Sequence, residues 1–80
     1  MQELCKNESY KILQASLKTG EVMPRHESTS DAFMIVKKGK GKISFDAEAI
    51  ELRQGSTQLI PAHHPHRLEI MEDFEACIVL

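Results

Sequence analysis

The feature that most constrains this chain is a two-residue alternation of apolar and polar side chains that recurs from Leu13 to Leu80. Leu13, Ala15 and Leu17 alternate with Gln14, Ser16 and Lys18, and Ile43 and Phe45 with Lys42, Ser44 and Asp46. Ile50 and Leu52 alternate with Glu51 and Arg53, Leu68 and Ile70 with Arg67 and Glu69, and Phe74, Ala76, Ile78 and Leu80 form the last series. Successive side chains of a strand point to opposite faces, so each run reads as a strand with one face buried. Helical periodicity is hard to find past the first ten residues. The segment Phe33-Met34-Ile35-Val36 is apolar without alternation, as suits a strand covered on both sides or one lining a barrel.

Between these runs stand residues that favour turns: Thr19-Gly20, Lys38 to Gly41, Asp46-Ala47-Glu48, Gln54-Gly55 and Met71-Glu72-Asp73. The basic stretch Lys37, Lys38, Lys40 and Lys42, interleaved with Gly39 and Gly41, reads as a solvated hairpin edge kept soluble by its lysines. Seven or eight short strands in 80 residues expose many edges, which only closure or dimerisation hides. The expectation is an all-β fold, a closed barrel or sandwich, in one domain spanning 1–80, with 1–10 as a lead-in and 11–80 as the barrel.

Eighty residues leave no material for a second core, and a domain this small buries a limited share of its surface. A homodimer is therefore expected, since a second copy would cover an exposed apolar sheet face. Hydrophobic residues at 41% and charged residues at 28% match a folded globular domain rather than a disordered chain. The formal net charge is -2 with both signs interleaved, so no basic stripe of the kind that binds a phosphate backbone exists, and nucleic acid is excluded as an expected partner. No stretch approaches the roughly 20 apolar residues of a membrane span, and Met1 to Lys11 lacks the apolar core of a signal peptide. A cytoplasmic location is expected, with no membrane partner. Cys5 and Cys77 stand far apart without metal-type spacing and read as small hydrophobes.

Site chemistry falls to the four histidines. His63, His64 and His66 lie within four positions, and His26 is the fourth. In an extended segment His64 and His66 share a face while His63 points away, and Pro65 disfavours a helical alternative. With His26 from another strand they would form a three-imidazole site for zinc, iron, manganese or nickel. The competing reading is a polar strand end whose rings bond to backbone carbonyls.

The run from Gly55 to His66 resembles the second motif of the cupin superfamily: a glycine, five residues, a proline, one residue, often a glycine, two residues and a histidine. Here these are Gly55, Ser56 to Ile60, Pro61, Ala62, His63 in the second glycine's place, His64-Pro65 and His66. The first cupin motif is a glycine, five residues, His-X-His, three or four residues, a glutamate, six residues and a glycine. Gly20, His26 and Gly39 match it, while Ser28 stands at the second histidine and Ala32 at the glutamate. The resemblance covers Lys11 to Leu80 and implies a cupin-type jelly-roll β-barrel of about seven to nine short antiparallel strands. It also implies that His66 and His26 are metal-ligand positions, with two of the four usual ligands replaced. Glu27 and Asp31 each lie one position from a lost ligand, but a one-residue offset in a strand turns the side chain to the opposite face. His64 is the better substitute.

Three functions follow as expectations. The first in rank is a non-enzymatic dimeric module that binds a small molecule or serves a structural role, with a degraded metal site; Met23, Phe33, Met34 and Phe45 beside His26 and His66 fit a mostly apolar pocket. The alternative is a metal-dependent oxygenase or isomerase that uses His26, His64 and His66 as ligands. Last comes a metal-independent, epimerase-like barrel with one histidine as general base, oriented by Asp31 or Glu27.

Overall fold

The computed structural model describes all 80 residues as seven strands without a helix. They are β1 (Gln2–Lys6), β2 (Lys11–Leu17), β3 (Val22–His26), β4 (Ala32–Ser44), β5 (Ala49–Arg53), β6 (Thr57–Ile60) and β7 (His66–Val79). All pairings are antiparallel, and two long strands carry the rest. β4 and β7 run against one another from Phe33↔Val79 to Ser44↔Arg67. The C-terminal half of β7 pairs with β2, which pairs with β1, and the N-terminal half of β4 pairs with β6. The other halves of β7 and β4 pair with β3 and β5.

The chain thus makes two sheet halves, β1-β2-β7-β4-β6 and β3-β7-β4-β5, that share the two long strands. Their inner side chains form one cluster. Ala15, Ala32, Met34, Val36, Ile60, Phe74, Ala76 and Ile78 come from the first half, and Ile43, Leu52, Leu68 and Ile70 from the second. This is an all-β barrel, as the alternation predicts, with the jelly-roll form that the resemblance implies. Every residue of the predicted inward series lies in this cluster or packs against it. The helix-free lead-in supplies β1, whose five residues are all exposed. No helix of the structure is long and apolar enough to cross a membrane.

Two expected turns are instead a corner. Lys38 to Gly41 lies inside β4 and Met71 to Asp73 inside β7, directly across from it, with pairs Lys38↔Glu75 and Lys40↔Glu72. The register shifts three times between Val36 and Gly41, so extra residues bend the paired strands without breaking them. Gly39 has φ +89, and a Cβ there would overlap the Asp73 carbonyl oxygen. The glycine therefore allows both the positive φ and the close approach of the two backbones. Nor do the lysines mark a hairpin: Lys40 and Lys42 lie between β5 and β7, and Lys38 pairs with β7 in the gap between β6 and β5. They occupy the outside of a bend in the most central strand.

The same corner holds the loop before β3. Asp73 Oδ1 accepts hydrogen bonds from the backbone N–H of Thr19 at 2.9 Å and from its hydroxyl at 2.8 Å. The Thr19 backbone N–H first, then its hydroxyl, hold the Asp73 carboxyl below its ordinary value of 3.8; desolvation opposes them, and Lys18 and Lys38 add lesser lowering effects. A carboxyl whose folded pKa is depressed contributes stability above its unfolded pKa, and loses it as pH falls through the folded value. Asp73→Asn should therefore flatten the fall of unfolding free energy below about pH 4. Urea denaturation between pH 2 and 7 checks this, and parallel acid limbs for the two proteins would contradict it.

Phe33 and Ile35 show what the unbroken apolar run of β4 does. Met34 and Val36 point into the core, whereas Phe33 and Ile35 are 40% and 37% exposed on the outer face of the chain.

Candidate functional site

The barrel interior holds a cavity of about 150 Å³. Thirteen of its sixteen lining residues are hydrophobic, among them Leu13, Met23, Met34, Ile43, Leu68 and Phe74; the polar ones are His26, Ser28 and His66. Ala32 also lines it. The four positions that the cupin motifs assign to ligands are thus all turned inward, and they carry two imidazoles, a hydroxyl and a methyl group.

The pairing of β3 with β7 explains the histidines. His26 ends β3 and His66 opens β7, and the two are register partners across a bulge that begins after Met23. Directly opposed side chains share a face. Their ring centroids lie 4.4 Å apart with planes inclined at 59°. His66 is 6% exposed, while His26 is more open at the end of its strand. Each ring is held by the backbone two residues before it: His26 Nδ1 lies 3.0 Å from the Pro24 carbonyl oxygen and His66 Nδ1 2.9 Å from that of His64.

His64 is not brought to this pair. It is exposed and lines an outer depression with Phe45, Asp46, Glu48, Gln58 and Leu59, its ring edge-on to Phe45 at 6.5 Å. The reason is His63, which adopts φ 62, so the segment is a turn and not the extended run from which a shared face was expected. The backbone N–H of His63 donates to Ser28 O at 2.8 Å, and that of Ala62 to Asp31 Oδ1 at 2.8 Å. These bonds tie the loop after β3 to the turn before β7. They also account for the usual glycine of the motif: this chain places a side chain where the backbone takes a left-handed conformation, costing on the order of 1 kcal/mol.

Glu27 and Asp31 face away from the cavity, as the one-residue offset requires. Glu27 lines an outer depression, and Asp31 is the partner of Ala62. Of the four apolar residues expected beside the histidines, Met23 and Met34 line the cavity. Phe33 is turned outward, and Phe45 packs 6.2 Å from the His66 ring on the side facing the outer depressions. The inward placement of Ser28 and Ala32 was available from the motif spacing. Which of His63, His64 and His66 points inward depended on the left-handed residue, which the motif marks by its usual glycine but which His63 in that place conceals.

An antiparallel barrel of two sheet halves with inward-facing motif positions defines a jelly-roll protein of the cupin kind. The family described as Cupin domain matches residues 13–80, and the chain belongs to it. Among solved structures, a conserved protein of unknown function from Streptococcus pyogenes is 31% identical with a TM-score of 0.85; the match covers 96% of this chain and 68% of that one. A cupin superfamily protein from Desulfitobacterium hafniense is 23% identical with a TM-score of 0.89, over 98% of this chain and 72% of that one. A cupin 2 conserved barrel domain protein from Leptotrichia buccalis is 26% identical with a TM-score of 0.88, over 99% of this chain and 38% of that one. Among curated proteins there is no match.

The family fold implies a divalent metal, and the donor set here does not fit one. Nowhere does the structure gather three or more His, Cys, Asp or Glu side chains that could hold an ion. Two imidazoles fall short of the three or four protein ligands of a retained zinc or similar ion, and the cavity walls supply no carboxylate. Because Ser28 and Ala32 already face inward, Ser28→His with Ala32→Glu should create a site that binds one zinc or manganese per chain through desalting. Metal analysis of the purified double variant checks this. A variant that folds and stays metal-free would contradict the assigned directions of these two residues.

Proposed function

We propose that this protein is a non-enzymatic binding module whose barrel takes one small, mainly apolar molecule, with His26 and His66 meeting the ligand's single polar group. The observation that carries the reading is the interior itself: a cavity of about 150 Å³ with thirteen hydrophobic walls and its polar groups drawn from His26, Ser28 and His66. Ligand sites are typically apolar with a few convergent polar groups. An apolar cavity of this size accommodates a single six-membered ring.

Metal-dependent catalysis finds no support in the donor set. The general-base reading needs a carboxylate on an imidazole, but both Nδ1 atoms already bond to backbone carbonyls. Asp31 is bonded elsewhere and Glu27 faces outward.

Titration with toluene, followed through the methyl signals of Met23 and Met34, tests the reading. Saturable shifts of both signals are expected, together with a stabilisation of about 2.7 kcal/mol at a hundredfold excess over Kd. Ala32→Leu, which fills the cavity, should abolish both. Unperturbed methyl signals at saturating toluene would sink the proposal.

The outer face of the first sheet half supports a second copy as partner. Leu59, Phe33, Val79 and Ile12 stand side by side on β6, β4, β7 and β2, with Thr57, Ile35, Cys77 and Gln14 in the next row. Neither row carries a charge, Leu59 is 53% exposed, and the following row offers both signs in Lys38 and Glu75. Such a patch is self-complementary and can meet its own copy across a two-fold axis. Sedimentation should give twice the 9.1 kDa chain mass, and Phe33→Glu with Ile35→Glu should give single chains. A wild-type monomer at tens of micromolar would contradict this.

A further inference from the structure

From the hydrogen bonds of the two histidines we infer the chemical class of the ligand: a neutral ring-sized molecule that donates a hydrogen bond, of the phenol kind, rather than a carboxylate, ketone or ether. This rests on the binding-module reading and adds a head group to it. A carbonyl oxygen only accepts, so the nitrogen facing it must carry the proton. Pro24 O and His64 O therefore fix the proton of each neutral ring on Nδ1. That leaves Nε2 of both rings as a bare acceptor.

Two consequences follow from the geometry. First, the rings cannot satisfy one another: at a centroid separation of 4.4 Å, two bare acceptors have no proton to share, and no hydrogen bond joins them. A donor is the group missing between them. Second, the acceptor on His66 is reachable. The residue is 6% exposed, yet no buried side-chain nitrogen or oxygen in the structure lacks a partner. The unbonded Nε2 therefore keeps open surface, and His66 lines both the cavity and an outer depression beside Phe45 and Arg67.

The walls select against charge. A carboxylate would bring its oxygens against acceptor nitrogens inside an apolar cavity, and an ammonium would lose its hydration there. A ketone or ether would leave both nitrogens unmatched. A hydroxyl donates to one Nε2 and keeps its own lone pairs for the Ser28 hydroxyl, which lines the same cavity two residues beyond His26. The apolar ring of such a ligand then lies among Met23, Met34, Leu68 and Phe74.

The test uses the wild-type chain with phenol, anisole, toluene and benzoate at pH 8, by calorimetry. Phenol is expected to bind about five- to tenfold more tightly than anisole or toluene, the factor for one net hydrogen bond, and benzoate more weakly than toluene. His66→Phe should bind toluene and lose the preference for phenol. Long-range proton–nitrogen spectra should show both rings protonated on Nδ1. Equal affinities for phenol, anisole and toluene would overturn the donor preference while leaving the cavity reading intact; tighter binding of benzoate, or a proton on Nε2, would overturn it too. No binding of any of the four would overturn both.

Discussion

The pairing of β4 with β7 is the constraint on which the rest of the molecule depends. Every other strand except β1 attaches to one of these two, and β1 reaches them through β2. A flat ladder of this length would leave its inner face open to water. Bending both strands at one corner lets the two halves of each contribute to opposing faces, so that Phe74 and Val36 can bury against Ile43 and Leu52 in a single core. Close contact at the corner depends on the missing side chain of Gly39 against Asp73, and its charge is used as well, since the Asp73 carboxylate holds the Thr19 loop. Sequestering each inner side chain of Val, Leu, Ile or Phe size contributes about 1.5–3 kcal/mol, much of it offset by the entropy of ordering the chain.

The site inherits its geometry from the same ladder. His66 opens β7, and its partner strand β3 places His26 beside it, so the two imidazoles are in place without a metal to gather them. Their backbone partners, Pro24 O and His64 O, are local consequences of the chain path. In a metal site, carbonyl bonds of this kind orient the ligand rings. Here the same bonds leave two unbonded acceptors on rings that line an apolar cavity, whose remaining motif positions hold a hydroxyl and a methyl group. The fold holds an imidazole pair without the further donors that would make it a cage, and fold alone does not fix function.

Much of the architecture could be read from the amino acids because a period of two is a local property. Leu13, Ala15 and Leu17, or Phe74, Ala76 and Ile78, announce their inner face without reference to any other strand. The cupin resemblance went further and set His26, Ser28, Ala32 and His66 at the four usual ligand positions, and all four line the cavity. The corner was not legible, since lysine and glycine in alternation serve a hairpin turn and a bulged bend equally well; only the distant Met71–Asp73 segment decides between them. His64 escaped for a similar reason. Its direction is set by the left-handed conformation of His63, and that in turn by a bond to Ser28 O from a loop 35 positions earlier in the sequence. The hydroxyl-sized and methyl-sized replacements were visible, but the protons on Nδ1 required knowing which carbonyls lie beside the rings.

The proposed site, two oriented imidazoles in an apolar barrel, takes a small neutral molecule and not a metal. Its most direct test is the metal content of the tag-free protein after incubation with zinc, nickel, iron or manganese and removal of the excess. Far less than one ion per chain is expected for each metal, because the two nitrogens leave at least half of a four-coordinate shell to water. One ion per chain, retained by the wild type and lost in both His26→Ala and His66→Ala, would contradict it.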